Sequence, residues 1–310
     1  MIRLGTRTSA LALAQAGLVA EGLRAQGHVV QLVPMRTQGD RLAEAPLALV
    51  GGKGLFVREI EQALLEGAID VAVHSLKDLP ATLPAGLCLG AFPRREDPRD
   101  VLVTRTGGSL HDLAAGSVVG TSSPRRRVLV LAARPDVRVE PLRGNVDTRL
   151  AKLERGTCDA IILAAAGLHR LGVVPPHGVA LAPEEFIPAV GQGILAVEVR
   201  DDDRETLAAV AVLDEPETRV CAEAERAFLA RLGASCNSPL AAHATLLGAA
   251  RRIVRLNAMI ASEDGRDVLR AHADGRPERA RALGSELAEV MLARGATALV
   301  GLRAVPGGPV

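Results

Sequence analysis

Apolar residues recur in two rhythms over the first two hundred positions: short runs that suit buried strands, and longer stretches with helical spacing. IRLGT at 2–6 predicts a strand, after which Thr8 or Ser9 can cap a helix. In that helix Leu11, Ala14, Leu18, Gly22 and Ala25 are expected on one face. VVQLVP is the next strand. A glycine-flanked stretch at 39–54 precedes a helix with Phe56, Ile60 and Leu64 on one stripe. AIDVAVHS then reads as a buried strand, and the prolines of DLPATLP break the chain.

The pattern repeats from 99 to 189. SVVGT runs into SSPRRRVLVLAAR, with Ser123 at a helix N-cap and Pro124 at the first helical position. VRVEPL is followed by RGN and a helix that Asn145 can cap, and DAIILAA leads into AGLHRLG. PAVGQGILAVEV predicts a strand that returns the chain to the first domain. Strands alternating with helices predict βαβ units on mostly parallel sheets.

After 216 the order changes. A helix with Val220, Ala224, Ala227 and Phe228 on one face is followed by strands near 240–247, 252–260 and 267–272, and by a closing helix at 276–293 carrying Leu283, Leu287 and Met291. The expected division is a discontinuous α/β domain of residues 1–95 plus 190–213, a second α/β domain at 99–189, and a small C-terminal α+β domain at 216–310.

Composition narrows the class. The chain has 310 residues, 48% hydrophobic and 24% charged, which is ordinary for a globular protein of two or three domains. No apolar run reaches the ~20 residues that cross a bilayer, and MIRLGTRTSA lacks the pattern of an export signal, so a cytoplasmic protein without membrane contact is expected. The net charge is +1, and with four Phe and no Tyr or Trp the stacking platforms of a nucleic-acid binder are missing. Nucleic acid is not an expected partner. Of 37 basic residues three are lysines (Lys53, Lys77 and Lys152), which leaves 34 arginines, the better fork for carboxylates. The seven histidines do not pair at ligand spacing with each other or with cysteine, so no metal site is expected.

Four cysteines stand at 88, 158, 221 and 236 without C-x-x-C spacing. The first three sit in apolar or helical patterns and read as buried, inert thiols. Cys236 is different: RLGASCNSPL surrounds it with turn residues, which places it on a loop.

Three junctions share one form, in which a strand ends, small polar residues turn the chain and a helix begins beside arginine. GTSSPRR offers Ser122, Ser123, Arg125 and Arg126; LRGNVDTR offers Arg143 and Arg149; LGTRTS offers Arg7. Carboxyl ends of parallel strands are where open α/β sheets bind ligands, and helix N-termini attract anions. Any one of these arginines is equally well a solvated helix end, but several in two domains imply a ligand with many negative charges. Successive helical residues point ~100° apart, so three arginines in a row do not face one ligand, and Arg127 is assigned to the surface. VHSLKDLP adds Ser75, Lys77 and Asp78. The residues alone favour Asp78 as a helix or turn cap; as a functional group it would stabilise a cation and shuttle protons.

Together GTSSPRR, LRGNVDTR, AVHSLKDLP, VGGKGLF, REDPRD, AAAGLHRLG and PAVGQG resemble the porphobilinogen deaminase (hydroxymethylbilane synthase) family, in order through nearly the whole chain and more weakly after about 245. The resemblance implies three domains, the first two like periplasmic binding proteins. It implies a dipyrromethane cofactor held by Cys236 through a thioether, which primes condensation of porphobilinogen into a linear tetrapyrrole. Loss of ammonia from an aminomethylpyrrole leaves an electrophilic azafulvenium that a thiolate traps. It further implies that Lys77, Ser123, Arg125 and Arg126 hold cofactor carboxylates, with Asp78 at the pyrrole nitrogens. Arg7, Ser75, Arg143, Arg149 and Arg170 would hold the incoming pyrrole. Gln192 and Gly193 fall in the VGQG segment that rejoins the first domain. A monomer without an obligatory protein partner is expected.

The chain departs from the family pattern at the cysteine, where ASCNSP replaces a typical GGC sequence through Ser235 and Asn237, and at Leu49, where some members carry lysine. Two other classes fit part of the pattern: a non-catalytic anion binder of the periplasmic type, which needs no Cys236, and a cysteine acyltransferase, which would draw on His243 as base.

Overall fold

The computed structural model describes residues 1–41, 57–234, 238–248 and 252–300. The first part comprises β1 (Ile2–Arg7), α1 (Ala10–Ala25), β2 (Val30–Met35), α2 (Gln38–Arg41), α3 (Arg58–Leu65), β3 (Val71–Ser75) and β4 (Leu87–Ala91). The second comprises β5 (Asp100–Thr104), β6 (Val118–Gly120), α4 (Pro124–Ala133), β7 (Arg138–Glu140), α5 (Val146–Glu154), β8 (Ala160–Ala164), α6 (Ala165–Arg170) and β9 (Gly178–Ala180). β10 (Leu195–Arg200) and α7 (Arg204–Ala211) follow. The chain continues through α8 (Pro216–Leu232), β11 (Leu240–Leu247), β12 (Ile253–Ala261), β13 (Val268–Gly275), α9 (Ala280–Ala293) and α10 (Ala296–Val300).

These form two five-stranded sheets of the same plan, β2-β1-β3-β10-β4 and β7-β6-β8-β5-β9, and a three-stranded antiparallel sheet, β11-β12-β13. The fold class is thus two α/β domains of one plan and a small α+β domain. The sheets are mixed and not mostly parallel. β1 runs parallel to β2 and β3, but β10 is antiparallel to β3 and β4. In the second sheet β6 is parallel to β7 and β8, while β5 is antiparallel to β8 and β9. A parallel pair needs a crossover connection, usually a helix. β5 and β10 enter their sheets straight from the other sheet, with no such helix, so they are free to run the opposite way. β4, β5 and β9 escaped the sequence pattern.

Capping is as expected at two helices. Ser9 accepts the Ala12 N–H, and Ser123 accepts the Arg126 N–H with Pro124 at the first position. Asn145 occupies the N-cap of α5 but its side chain makes no cap bond. The buried face of α1 also differs from the expected stripe: Ala12, Gln15, Ala16, Val19, Ala20 and Leu23 face inward while Leu18 is exposed. This helix is apolar nearly all round, so periodicity selects no face, and the sheet decides.

The small domain is buried from two sides. Val254, Leu256, Ala258 and Ile260 of β12 pack with α8 and α9 through Phe228, Leu283 and Met291. The alternate residues Met259 and Ala261 join Ala241 in the core of the second domain, with Leu102, Val119 and Ile162. The close approach of α9 to α8 occurs at Gly284, where a Cβ would stand 2.1 Å from the Ala224 carbonyl oxygen. Gly284→Ala is therefore expected to lower unfolding free energy by about 1–3 kcal/mol in spite of alanine's better helix propensity. Denaturant titration showing equal or greater stability would contradict this packing.

Candidate functional site

The site is assembled where chain ends converge. Arg7 closes β1, and Ser75 closes β3 and leads into a single 3-10 turn at Leu76–Asp78. On the other side β6 delivers Ser123 to the start of α4, and β7 delivers Arg143 and Arg149 to the start of α5. Residues 190–194 cross between the two. Gly193 there has φ +86, and a Cβ on it would meet the Glu96 carbonyl oxygen at 2.4 Å, so glycine is required twice over.

Asp100, the first residue of β5, organises the cationic wall. Its carboxylate is fully buried and accepts Arg125 Nη1 on Oδ2 at 2.7 Å, and Arg126 Nη2 and Nε on Oδ1 at 2.8 and 3.1 Å. Gln192 Nε2 donates to the same Oδ1 at 2.9 Å. Arg125 Nη1 also reaches the Ile187 carbonyl, and Arg126 Nη1 the Ile162 carbonyl. Burial alone would raise the Asp100 pKa, but the two guanidiniums hold it well below the usual carboxylate range. Lys77 comes in from the first domain, its Nζ 3.5 Å from Gln192 Oε1. Burial, and then Arg126, push its ammonium down to about 8. Arg125 and Arg126 thus share one carboxylate, with the charge of Lys77 close by, and among the described residues Arg125 Nε is buried without a hydrogen-bond partner. The cluster carries more positive charge and more donors than Asp100 satisfies.

Asp78 faces this wall. Its charge acts on Lys77 and on Arg149. Burial, followed by Arg126, lowers the Arg149 pKa to about 10, and Arg143 acts in the same direction. Arg149 Nε is steadied by the Gly144 carbonyl at 2.8 Å. The cap expected of Asp78 is not present: it ends the 3-10 turn, and among the described residues its carboxylate accepts no hydrogen bond. The turn is too short to offer it an orphan N–H, so its charge is directed at cations.

Arg7, Gln15, Ser75 and Asp78 line one small cleft. Gln15 and Ser75 exchange hydrogen bonds, Nε2 to Oγ at 2.9 Å and Oγ to Oε1 at 3.2 Å. Arg7 is bound by Asp40 through Nε and Nη2. Ser123 uses its oxygen as acceptor in the cap of α4, which leaves the O–H for donation. Arg170 lies beside the crossing strand and donates to the Gly193 carbonyl at 2.7 Å; burial lowers its pKa to about 10, against the pull of Glu96. Arg127 is exposed and donates to the Val139 carbonyl, as assigned. Cys236, Ser235, Asn237 and Leu49 lie outside the described residues. The chain approaches Cys236 from α8, which stops at Gly233 in the left-handed conformation, and leaves it toward β11. Cys158 and Cys221 are buried and Cys88 half-buried; burial raises all three thiols, Cys221 to about 12. Burial pushes His243 down to about 3, so it is a poor base for an acyltransferase.

Sequence reasoning missed Asp100, Asp40 and Gln15 as parts of the site. Gln15 alone left a signal, a polar residue on an otherwise apolar helix.

Asp100→Asn is expected to destabilise the protein by about 3–5 kcal/mol at neutral pH, because it leaves two guanidiniums buried without their counter-charge. Asp100 stabilises fully above its ordinary pKa of about 4 and loses that contribution as pH falls toward its depressed native value. The gap between wild type and mutant should therefore narrow below about pH 4. A gap in unfolding free energy that stays constant from pH 7 to pH 3 would rule out this charge role.

Two family models match the chain: "Porphobilinogen deaminase, dipyromethane cofactor binding domain" over residues 2–208 and "Porphobilinogen deaminase, C-terminal domain" over 219–293. The porphobilinogen deaminase of Syntrophobacter fumaroxidans is 49% identical over 298 residues, 96% of each chain. That of Syntrophotalea carbinolica is 48% identical over 297 residues, 95% of this chain and 93% of the relative. Among solved structures, a periplasmic substrate-binding protein of an ABC transporter from Coxiella burnetii covers 71% of this chain and 94% of its own at 16% identity, with a TM-score of 0.42. That likeness is too loose to bear on function.

Proposed function

The chain belongs to the porphobilinogen deaminase family, and from that premise we propose how its residues carry out the reaction: condensation of porphobilinogen units, with loss of ammonia, into the linear tetrapyrrole hydroxymethylbilane. It is a transferase of tetrapyrrole biosynthesis with a dipyrromethane cofactor. The observation that carries the assignment of roles is Asp78, a carboxylate that accepts no hydrogen bond among the described residues and whose charge acts on Lys77 and Arg149.

The residues present fit a polyanionic pyrrole cofactor. Lys77, Arg125 and Arg126 exceed the single charge of Asp100, and the buried, unpartnered Nε of Arg125 is a donor in need of an acceptor. Lys77, Ser123, Arg125 and Arg126 would hold its acetate and propionate groups, and Cys236 would carry it through a thioether. When bound, dipyrromethane supplies the pyrrole carbon to which substrate units are added.

Arg143 and Arg149, with Arg7 and Ser75 across the cleft, bind the carboxylates of the incoming porphobilinogen. Arg170, beside the crossing strand at Gly193, completes the set. As ammonia departs from the substrate's aminomethyl group, positive charge spreads over the pyrrole and its nitrogen. Asp78 Oδ atoms stabilise that charge, and they accept the α-proton lost when the ring that formed the new bond as nucleophile regains aromaticity. The arginines hold carboxylates without competing for this proton, since they stay charged. Lys77, with its pKa lowered to about 8, is the cation nearest Asp78 in sequence and steadies the carboxylate.

The division into residues 1–95 with 190–213, 99–189 and 216–310 belongs to the same proposal. Its support is that β10 sits between β3 and β4 in the first sheet, while β5 to β9 form the second. So does the cytoplasmic monomer with porphobilinogen as its partner. Among the described residues no helix is long and apolar enough to cross a membrane.

Two substitutions test the roles. Asp78→Asn should reduce turnover by about 10²-fold or more with little change in melting temperature, because no hydrogen bond is lost. Asp78→Glu, which keeps the charge, should retain more activity than Asn. Turnover of the Asn variant within a few-fold of wild type would remove Asp78 from the chemistry. Cys236→Ser should yield a folded protein whose intact mass lacks the two-pyrrole adduct carried by wild type, since a hydroxyl is a poor trap for the pyrrole cation. An unchanged adduct in this variant would place the attachment elsewhere.

A further inference from the structure

Asp40, bonded to the cleft residue Arg7, is a carboxylate that no step of the reaction uses, and its surroundings are built. Its Oδ2 accepts Thr37 N at 3.1 Å and Thr37 Oγ1 at 2.8 Å, and Asp40 N donates back to Thr37 Oγ1 at 3.3 Å. Thr37 is fully buried. The neighbouring Gln38 N donates to Glu59 Oε1 on α3 at 2.7 Å, so α2 is tied to the helix that packs against β3. Oδ1 accepts Nε and Nη2 of Arg7, and Nε also makes a longer bond of 3.4 Å to Oδ2. The pair is largely withdrawn from water, with side-chain exposures of 23% and 16%. Burial alone would raise the Asp40 pKa, but Arg7 and Thr37 bring it below the ordinary value, so the carboxylate stays ionised.

The carboxylate is thus fixed to its own turn through Oδ2 and holds, mainly through Oδ1, a long, flexible side chain that lines the cleft with Ser75 and Asp78. An arginine has several rotatable bonds, and ordering it when a ligand binds costs affinity. A guanidinium already held along one edge gives up little further freedom. The opposing effect is that Asp40 cancels part of the charge that attracts an anion. The doubly anchored geometry favours preorganisation over competition, because a carboxylate that substrate had to displace would not need two bonds from a buried threonine.

We propose that Asp40 is a positioning residue for substrate recognition, which holds Arg7 in the orientation that receives a carboxylate of porphobilinogen. The inference rests on the substrate reading above and goes beyond it in assigning a residue that acts through Arg7. Its effect is on binding and not on the chemical step, since Asp78 does not contact Asp40 among the described interactions.

The test uses the full-length, cofactor-loaded enzyme, with loading confirmed by intact mass, and measures kcat and KM for porphobilinogen alongside melting temperature. Asp40→Asn should raise KM roughly three- to tenfold, the range that ordering one such side chain is worth, with kcat within about twofold of wild type. Thr37→Val, which loosens the anchor but leaves the ion pair, should raise KM in the same direction by less. In an Arg7→Leu background, Asp40→Asn should add nothing to KM. A lowered KM in Asp40→Asn would show that Asp40 competes with substrate, and an unchanged KM would show that Arg7 needs no support; either overturns the inference. The same rise in the Arg7→Leu background would make the effect structural and overturn it too. A wild-type protein that carries the adduct and turns over porphobilinogen keeps these failures distinct from failure of the functional reading, which would appear as an inactive wild type.

Discussion

Two guanidiniums do not gather in a protein interior without a counter-charge, and here a single buried carboxylate makes it possible. Asp100 takes both forks of the α4 arginines, fixes their planes and receives an amide proton from Gln192. Like charges repel more strongly as water is excluded, so without Asp100 the wall would open or fill with solvent. With it, the wall remains positive overall. A site for a growing polyanion needs this imbalance: enough negative charge to hold the cations in place, too little to satisfy them.

The same device recurs at the other joints. Glu225 of α8 is fully buried and accepts Arg95 Nη1 at 2.7 Å, Gly191 N at 2.6 Å and Ala244 N at 2.8 Å. Arg95 in turn donates Nε to the Gln192 carbonyl at 2.9 Å. A continuous polar path therefore runs from the helix leading to Cys236, through the crossing strand, to Gln192, Asp100 and the arginines of α4. Gln192 makes the link twice, by its carbonyl to Arg95 and by its amide to Pro98 and Asp100. The helix that precedes Cys236, the proposed point of attachment, and the wall that would hold the cofactor's carboxylates are fixed by one set of bonds.

The first domain contributes differently. Its groups are set by helices behind the sheet: Gln15 of α1 holds Ser75, and Asp40 of α2 holds Arg7. Among the described residues the Asp78 carboxylate accepts no hydrogen bond, the condition in which a carboxylate is most available to a new positive charge. Among the described residues Arg7 and Ser75 are each restrained by a neighbour, while Asp78, the proposed catalytic group, is placed by its backbone turn.

Much of this was legible in the residues. Strand and helix rhythm, the Ser123–Pro124 start of α4, the Ser9 cap, the inward residues of α9 and the surface place of Arg127 follow from local spacing and capping chemistry, which act within a few residues. The chain order of motifs determined the family. Local sequence did not reveal which way β5 and β10 run, which face of α1 is buried, or that Asp78 is no cap. These depend on partners brought in from other strands of the sheet or on the geometry of a turn. Nor did it show Asp100 beneath Arg125 and Arg126, because a carboxylate 25 residues upstream leaves no periodic mark. Charge type and number were determined by the sequence. Which cations have partners, and which charge remains unmet, was decided only by tertiary structure, because electrostatic pairing depends on distance in space and on the exclusion of water.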